Sequence, residues 1–423
     1  MTVSVVKLGV LRDHDFRQLF AADTISQIGT QVTILALPLV AVLALHATPL
    51  EVGFLAACET AAFLLVGLPA GAWVDRMRRR NVLIAGDVGR AVVLASVPLA
   101  WWADVLTMPQ LYVVALVTGV LTVFFDVAYQ SYLPHLVGKE QLVDGNSKLE
   151  VVRATTQLAG PTAAGLLIQA LTGPVAIALD AVSFLGSALF VGRIRKREAR
   201  PERQPDAHLG REILEGLRFV FGNRLLRAIA ACTGSSNLFN SIVQAMLILY
   251  LARDLGLKPG VIGLIFSAYG IGGLIGALIT RRVADRIGQG PAIWISAVVF
   301  GISGLAIPLA APGWRLVLAV VAMIVFSISV VVYNVTQVSF RQGLTPDRLL
   351  GRMNATMRFL VWGTMPVGGL IGGLLGTWFG VHNALWIGSI ASALTFLPVF
   401  LSPLRTMRSL PDIQPAEVAQ DSR

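Results

Sequence analysis

The sequence predicts an all-α integral membrane protein whose twelve transmembrane helices form two pseudo-symmetric six-helix bundles. Three observations predict this: too few charges for a water-facing surface, twelve apolar runs of span length, and an internal repeat at half the chain. Of 423 residues, 55% are hydrophobic, 41 are Gly and only 14% are charged, against about 25% charged in soluble domains. That excludes an ordinary soluble enzyme. One crossing takes ~20 apolar residues, so the hydrophobic content fits about a dozen spans joined by short connections.

In chain order the runs fall at 17–44, 50–73, 81–102, 109–130, 149–171, 174–192, 225–251, 260–281, 291–310, 314–336, 355–379 and 382–403. The first is too long for a signal peptide, and nothing before it reads as a cleavage site, so it is expected to be retained. An even count puts both termini on one side. Of the 34 Lys and Arg, 27 lie in the N-terminal segment, the 2–3, 4–5, 6–7, 8–9 and 10–11 connections and the tail. The opposite connections hold three, Arg253, Lys258 and Arg315. Positive residues stay inside, so both termini are expected in the cytoplasm, with the bacterial plasma membrane as location. The net charge of +10 then reads as topology and lipid-headgroup contact, not as a nucleic-acid surface.

The expected organisation is a cytoplasmic N-terminus (1–16), an N-terminal bundle (17–192), a basic central linker (193–224) with a short amphipathic stretch at 211–218, a C-terminal bundle (225–403) and a cytoplasmic tail (404–423). Cys58 and Cys232 both sit in apolar runs, where a thiol behaves as a small hydrophobe.

The two halves repeat. A shift of 210 superposes Arg17 on Arg227, Pro49 on Pro259, Gly53 on Gly263, Asp75 on Asp285 and Arg76 on Arg286. A shift of 208 superposes Asn146 on Asn354, Gly160 on Gly368 and Gly165 on Gly373. Parallel repeats of this kind build transporters whose site lies at the midplane between the halves.

The segment Gly67 to Leu83 carries Gly71, Asp75, Arg76, Arg79 and Arg80. It resembles the signature loop between helices 2 and 3 of the major facilitator superfamily; Arg78 stands where that family usually has Gly. Asp285, Arg286 and Gly288 resemble its weaker second copy. Span 5 contains Gly160-Pro161 and Gly165, similar to the Gly-Pro motif of the family's antiporters, with Thr156 in place of an upstream Gly. Ala115 occupies the place of the Arg in the family's helix 4 motif. The segments around Asp15 to Phe20 and Ser131 to His135, with Glu59 followed by 68–71, look like the branch that includes macrolide and enterobactin efflux proteins. The resemblance covers 12–403 and implies the major facilitator fold and efflux of a small molecule driven by the proton gradient. It implies a cytoplasmic gate too, in which Asp75 meets the start of span 11 at Arg358 and Asp285 meets Arg153 at the start of span 5. A carboxylate at such a position engages a helix N-terminus or an Arg through a breakable contact.

Ionisable groups at membrane depth are costly and therefore functional candidates. At 1.5 Å per residue, Glu59 lies near the midplane of span 2, and Asp23 nearer the cytoplasmic end of span 1. With Asp126 of span 4 they are the candidates for proton coupling. Asp23, Gln27 and Gln31 are four apart and share a stripe; Asn237, Asn240 and Gln244 form one on span 7. Together with Glu59 they are the candidate cavity residues, the alternative being hydrogen bonds between helices. Asp126 and Asn334 superpose at the 208 shift and belong either to an inner gate or to helix caps. Asp87 and Arg90, three apart, are expected to neutralise each other, and Asp180 to be structural.

No nucleotide-binding Gly-Lys-Ser/Thr loop, metal-ligand spacing or catalytic His cluster is present, so neither a cofactor nor ATP is expected. The expected partners are a small-molecule substrate, protons and lipid. The reading is a secondary active exporter of amphipathic small molecules working by proton antiport. The alternatives are a proton-coupled importer on the same fold and a non-transporting receptor or scaffold.

Overall fold

The computed structural model describes residues 9–67, 69–74, 76–196, 198 and 209–408. Asp75, most of the basic linker and the tail beyond 408 lie outside the described residues. The helices are α1 (His14–Leu43), α2 (Pro49–Val66), α3 (Pro69–Val74), α4 (Arg79–Trp102), α5 (Met108–Leu171), α6 (Gly173–Gly192), α7 (Leu209–Gly222), α8 (Arg224–Leu249), α9 (Pro259–Ile287), α10 (Gln289–Gly304), α11 (Trp314–Gly343), α12 (Asp347–Trp362), α13 (Thr364–Phe379), α14 (Val381–Ala393) and α15 (Leu397–Phe400). Eleven helices are long and apolar enough to cross a membrane. The twelfth crossing is the second arm of α5, which Gly138 at φ +74° separates from the first; Thr, Gln and Gly dilute its apolar content.

Local chemistry sets the helix ends. Asp13 caps α1 by accepting the Phe16 N–H at 2.8 Å. Thr48 and Glu51 form a reciprocal capping box at the start of α2, with Pro49 in the first turn, where its missing N–H is not needed. Asn223 accepts from Leu225 and Leu226 at the start of α8. Single residues at positive φ reverse the chain between adjacent helices: Gly288 (+91°), Gly380 (+85°) and Thr172 (+80°).

Hydrogen bonds identify two ends of the molecule. At the end carrying both termini, Asp15 accepts the N–H groups of Arg195 and Lys196 at 2.9 Å each, Asp144 accepts that of Val10 at 2.9 Å, and Arg408 O accepts from Gln289 N at 3.2 Å. At the far end Arg253 donates to Ala47 O at 3.3 Å, joining the two halves.

The cores differ between the ends. At the far end one continuous apolar core takes side chains from both halves, among them Leu39, Val52, Leu111 and Ile168 with Met246, Leu249, Ile262 and Leu385. Toward the termini the two larger cores are separate, one around Phe16, Leu83 and Tyr132 and one around Leu226, Ile293 and Phe340, with a small cluster of Ala62, Ala70 and Val123 in the N-terminal half. The halves are thus fused at the far end and separate at the other.

Glycines make the fusion possible. Between α2 and α13, a Cβ on Gly53 would lie 2.5 Å from Gly373 Cα and 2.6 Å from Gly369 O; between α5 and α9, one on Gly165 would lie 3.1 Å from Gly263 Cα. The repeat pairs Gly53 with Gly263 and Gly165 with Gly373, so the two seams are one device used twice. Small residues let helices approach where apolar lipid supplies no hydrophobic drive.

Candidate functional site

The separation of the halves leaves a cavity of about 320 Å³, opening toward the terminal end and walled by Phe63, Gly67 and Gly71, by Asp126, Gln130 and Ser131, and by Arg358, Phe359 and Trp362. Both halves contribute. The rings of Phe63 on α2 and Trp362 on α12 meet edge-on at 4.7 Å, and the Arg358 guanidinium lies 4.7 Å from the Trp362 ring. Aromatic rings thus form part of the wall, with Asp126 and Arg358 placed on it from opposite halves.

Glu59 lies one turn deeper on α2 than Phe63. It is half-buried and has no hydrogen bond or ion pair to any described residue. Its backbone carbonyl abuts α5, 3.0 Å from where a Cβ on Gly119 would stand, so α2 and α5 hold this segment closely. Asp23 on α1 is 7% exposed and lies beside Gln27 and Tyr129, within the fields of Asp126 and Arg153. Asp126 is exposed to the cavity and feels Arg90, Arg153 and Arg358. Four spans thus contribute: Asp126 and Arg358, one from each half, line the cavity, and Asp23 and Arg153 lie within the field of Asp126 without lining it. Asp126 lies about 18 Å before the end of the first arm of α5 at Gly138, and Asn334 sits well before Gly343. Capping of helix ends is ruled out for both.

The remaining stripe residues divide. Gln31 packs into the α1–α5 contact, where a Cβ on Gly160 would come within 2.6 Å of its Cγ. Asn237 donates to Val361 O at 3.1 Å and, with Asn240, Asn334, Tyr269 and Tyr333, lines a second pocket of about 60 Å³ inside the C-terminal bundle. That is room for about two waters. Gln244 is exposed and lines neither space.

In the signature loop, Arg79 meets Glu198 at 3.4 Å, and Arg80 donates to Val191 O at 3.3 Å and to Gly192 O. These contacts tie the loop to the end of α6 within its own half. Gly71 has nothing within 4 Å of where a Cβ would be, and Arg76 is exposed. Asp285 is 69% exposed and faces Arg281 at 3.6 Å along its own helix, and Arg286 is exposed. Asp285 thus makes no contact with Arg153 in this state, in keeping with separation of the halves at the terminal end.

The Asp87–Arg90 pair forms as the spacing requires, at 2.5 Å with both side chains buried. Asp180 is bonded by Thr33 and by Ser183 at 2.9 Å. The cavity aromatics Phe63, Phe359 and Trp362, and Tyr129 beside Asp23, were not distinguishable in the sequence, because aromatic residues inside apolar runs look the same whether they face lipid, core or cavity. Among the described residues no three His, Cys, Asp or Glu side chains gather where they could hold a metal ion.

Twelve spans in two repeated bundles around a cavity shared by both halves define a membrane transporter, not an enzyme. The chain belongs to the Major Facilitator Superfamily, whose family model matches residues 19–362 and 229–419. It is 28% identical over 400 residues to the multidrug efflux pump Tap of Mycolicibacterium fortuitum, covering 92% of this chain and 96% of Tap. It is 25% identical over 358 residues to the enterobactin exporter EntS of Escherichia coli O127:H6, covering 83% and 82%. Among solved structures, a bacterial homologue of the iron transporter ferroportin in its inward-facing state matches with a TM-score of 0.75 at 16% identity, covering 93% of this chain and 98% of that one. The outward-facing state of the same homologue matches with 0.61, covering 91% and 98%.

Proposed function

We propose that this protein is a secondary active exporter of amphipathic small molecules, drug-like, macrolide-like or siderophore-like, driven by proton antiport with alternating access between its halves. The observation that carries the reading is Glu59: a membrane-depth carboxyl without a polar partner among the described residues, one turn from the aromatic wall of a cavity that both halves line. Such a carboxyl gains a proton when its surroundings dry and loses it when they fill with water. The efflux activity of relatives matched along most of their length supports the outward direction. In this reading both termini are cytoplasmic, as the Lys/Arg bias supports, and the cavity faces inward. The units that rock are 17–192 and 225–403, joined by the linker 193–224. The gate partners remain Asp75 with Arg358 and Asp285 with Arg153, meeting when the inward cavity closes. No nucleotide or nucleic acid takes part.

The test is flux in proteoliposomes with an imposed pH gradient, across a panel of cationic, neutral and anionic amphiphiles. Glu59→Gln should abolish gradient-driven export while leaving substrate binding measurable. Normal export by this variant would remove Glu59 from the mechanism and transfer its role to Asp23 or Asp126. Accumulation on the opposite side would reverse the direction in favour of an importer.

A further inference from the structure

The duplication supplies an internal control for every buried charge. The 210 shift places Asp87 on Ala297 and Arg90 on Phe300; the 208 shift places Phe125 on Tyr333 and Asp126 on Asn334. In the C-terminal half this helix crossing is an aromatic cluster, with Phe300 5.8 Å from Tyr333 and 5.9 Å from Phe326, both edge-on. In the N-terminal half it holds Arg90, 3% exposed. Its guanidinium lies 4.4 Å from the Phe125 ring and 4.1 Å from that of Phe184. One nitrogen donates to Asp87 at 2.5 Å, and another reaches Thr122 Oγ1 at 3.5 Å. Ser187 lies beside Asp87, and Arg90 Nε is buried without a hydrogen-bond partner among the described residues.

The bundle therefore does not need charge at this crossing in order to pack. A buried ion pair is often no better for stability than apolar residues of similar volume, so its presence in one half alone calls for another reason. That half also contains every Asp and Glu at membrane depth, Asp23, Glu59, Asp87, Asp126 and Asp180; the only carboxylates in 225–403 are Asp254, Asp285 and Asp347, all near helix ends.

We propose that Arg90 is a positioning residue for proton exchange at Asp126, a role that rests on the proton-antiport reading above. Asp126 follows Phe125, the ring on which Arg90 stacks, and turns its carboxyl to the cavity. The charged and titratable groups around it are Arg90 on α4, Asp23 on α1, Tyr129 and Arg153 on α5 and Arg358 on α12. Glu59 on α2 lies deeper, Asp180 on α6 acts on Arg90, and α9 adds Tyr269 and, at its exposed end, Arg281, Arg282, Asp285 and Arg286. Of the three cations facing Asp126, Arg153 and Arg358 are exposed, and Arg358 belongs to the other half. Arg90 alone is locked in the bundle that carries Asp126 and moves with it. It holds the baseline ionisation of Asp126 constant through the cycle, while the approach and withdrawal of Arg358 modulate it. Water in the cavity supplies and accepts the proton.

The test writes the C-terminal half's own residues into the node, as Asp87→Ala with Arg90→Phe, with Arg90→Lys as the charge-preserving variant. The full chain in lipid nanodiscs is titrated with acid and followed by infrared difference spectra in the carboxylic-acid C=O region; Asp126→Asn identifies the Asp126 band. The double variant should melt within a few degrees of the parent and move the Asp126 midpoint to higher pH. Arg90→Lys should keep the midpoint near that of the parent. An unmoved midpoint in the double variant, or no band lost in Asp126→Asn, overturns the proposal. If the double variant does not fold, Arg90→Lys and Asp87→Asn decide, and equal midpoints in these two overturn it. The spectra need no substrate, so failure of gradient-driven export would refute proton antiport and leave this measurement interpretable by itself.

Discussion

The glycine seam between α2 and α13 allows a perturbation whose size follows from the packing. In Gly53→Ala the new Cβ would lie 2.5 Å from Gly373 Cα, 2.6 Å from Gly369 O and 2.7 Å from Gly373 N. All three are backbone atoms that no rotamer can move aside, so the helices must part by roughly 1 Å to restore ordinary contact distances. Overpacking of this kind costs about 1–3 kcal/mol. In the proposed alternating-access cycle α2 and α13 part at the far end in the alternate state, so the cost would fall only on the state in which that end is closed. At 1.4 kcal/mol per factor of ten, the ratio of the two states should shift by about 5- to 150-fold toward far-end-open. The assay is thiol labelling of Gln130→Cys, on the cavity wall, in a background lacking Cys58 and Cys232. Labelling from the terminal side should fall in Gly53→Ala and stay unchanged in Gly71→Ala, whose Cβ meets nothing within 4 Å. Unchanged labelling in Gly53→Ala would show that the seam is not the closed gate and that the cavity's access does not depend on it.

Three further outcomes are expected. Thr172 holds φ +80° and ψ 158° where its repeat counterpart Gly380 holds +85° and 155°, and this positive-φ extended conformation costs a side-chain-bearing residue about 1–3 kcal/mol; Thr172→Gly should raise the thermal midpoint in detergent, and a lowered midpoint refutes the strain. Asp144 lies outside the spans, and its carboxyl is held below the usual carboxylate range by the Lys148 ammonium and the Val10 N–H. Its contribution to anchoring 9–12 is therefore complete above the unfolded value and lost as pH falls through the lower folded one. Hydrogen exchange at Val10 should accelerate only in acid, below about pH 4, and should already be fast at neutral pH in Asp144→Asn; protection independent of both would discard the anchor. Asp75→Asn should shift the resting population further toward the inward-open state and slow export more than Asp285→Asn does, read by cysteine accessibility on both faces; equal labelling would reduce the Asp75 loop to a topology anchor.

The fold was legible because the membrane imposes it. Every backbone polar group must be paired inside a span, so long apolar runs leave helices as the only solution, and the shifts of 210 and 208 place one bundle on the other. What was not legible is where each helix continues beyond the apolar run. The first arm of α5 runs to Gly138 and α11 to Gly343, past the expected ends at 130 and 336, because polar residues outside the bilayer continue a helix as readily as apolar ones. This extension changes the meaning of Asp126 and Asn334 from helix-end residues to wall residues of internal spaces.

The site was legible in its charges and not in its shape. Costly groups such as Asp23, Glu59, Asp126, Arg153 and Arg358 are conspicuous against an apolar background; Asp126 and Arg358 line the cavity, Asp23 and Arg153 lie within the field of Asp126 without lining it, and Glu59 is a turn deeper than the wall residue Phe63. Gln31 and Gln244 satisfy the same periodicity, yet one is spent in a helix contact and the other faces away, since spacing defines a stripe without defining what it faces. The difference between the halves carries the remaining information. Phe300 packs on Tyr333 in one half and Arg90 stacks on Phe125 in the other. What differs is that Arg90 brings a fixed charge to within the field of a cavity carboxylate, whereas its counterpart faces an amide, Asn334, that has no proton to exchange. Packing constrains both copies of the repeat; the added charge answers to a demand that only the N-terminal copy meets.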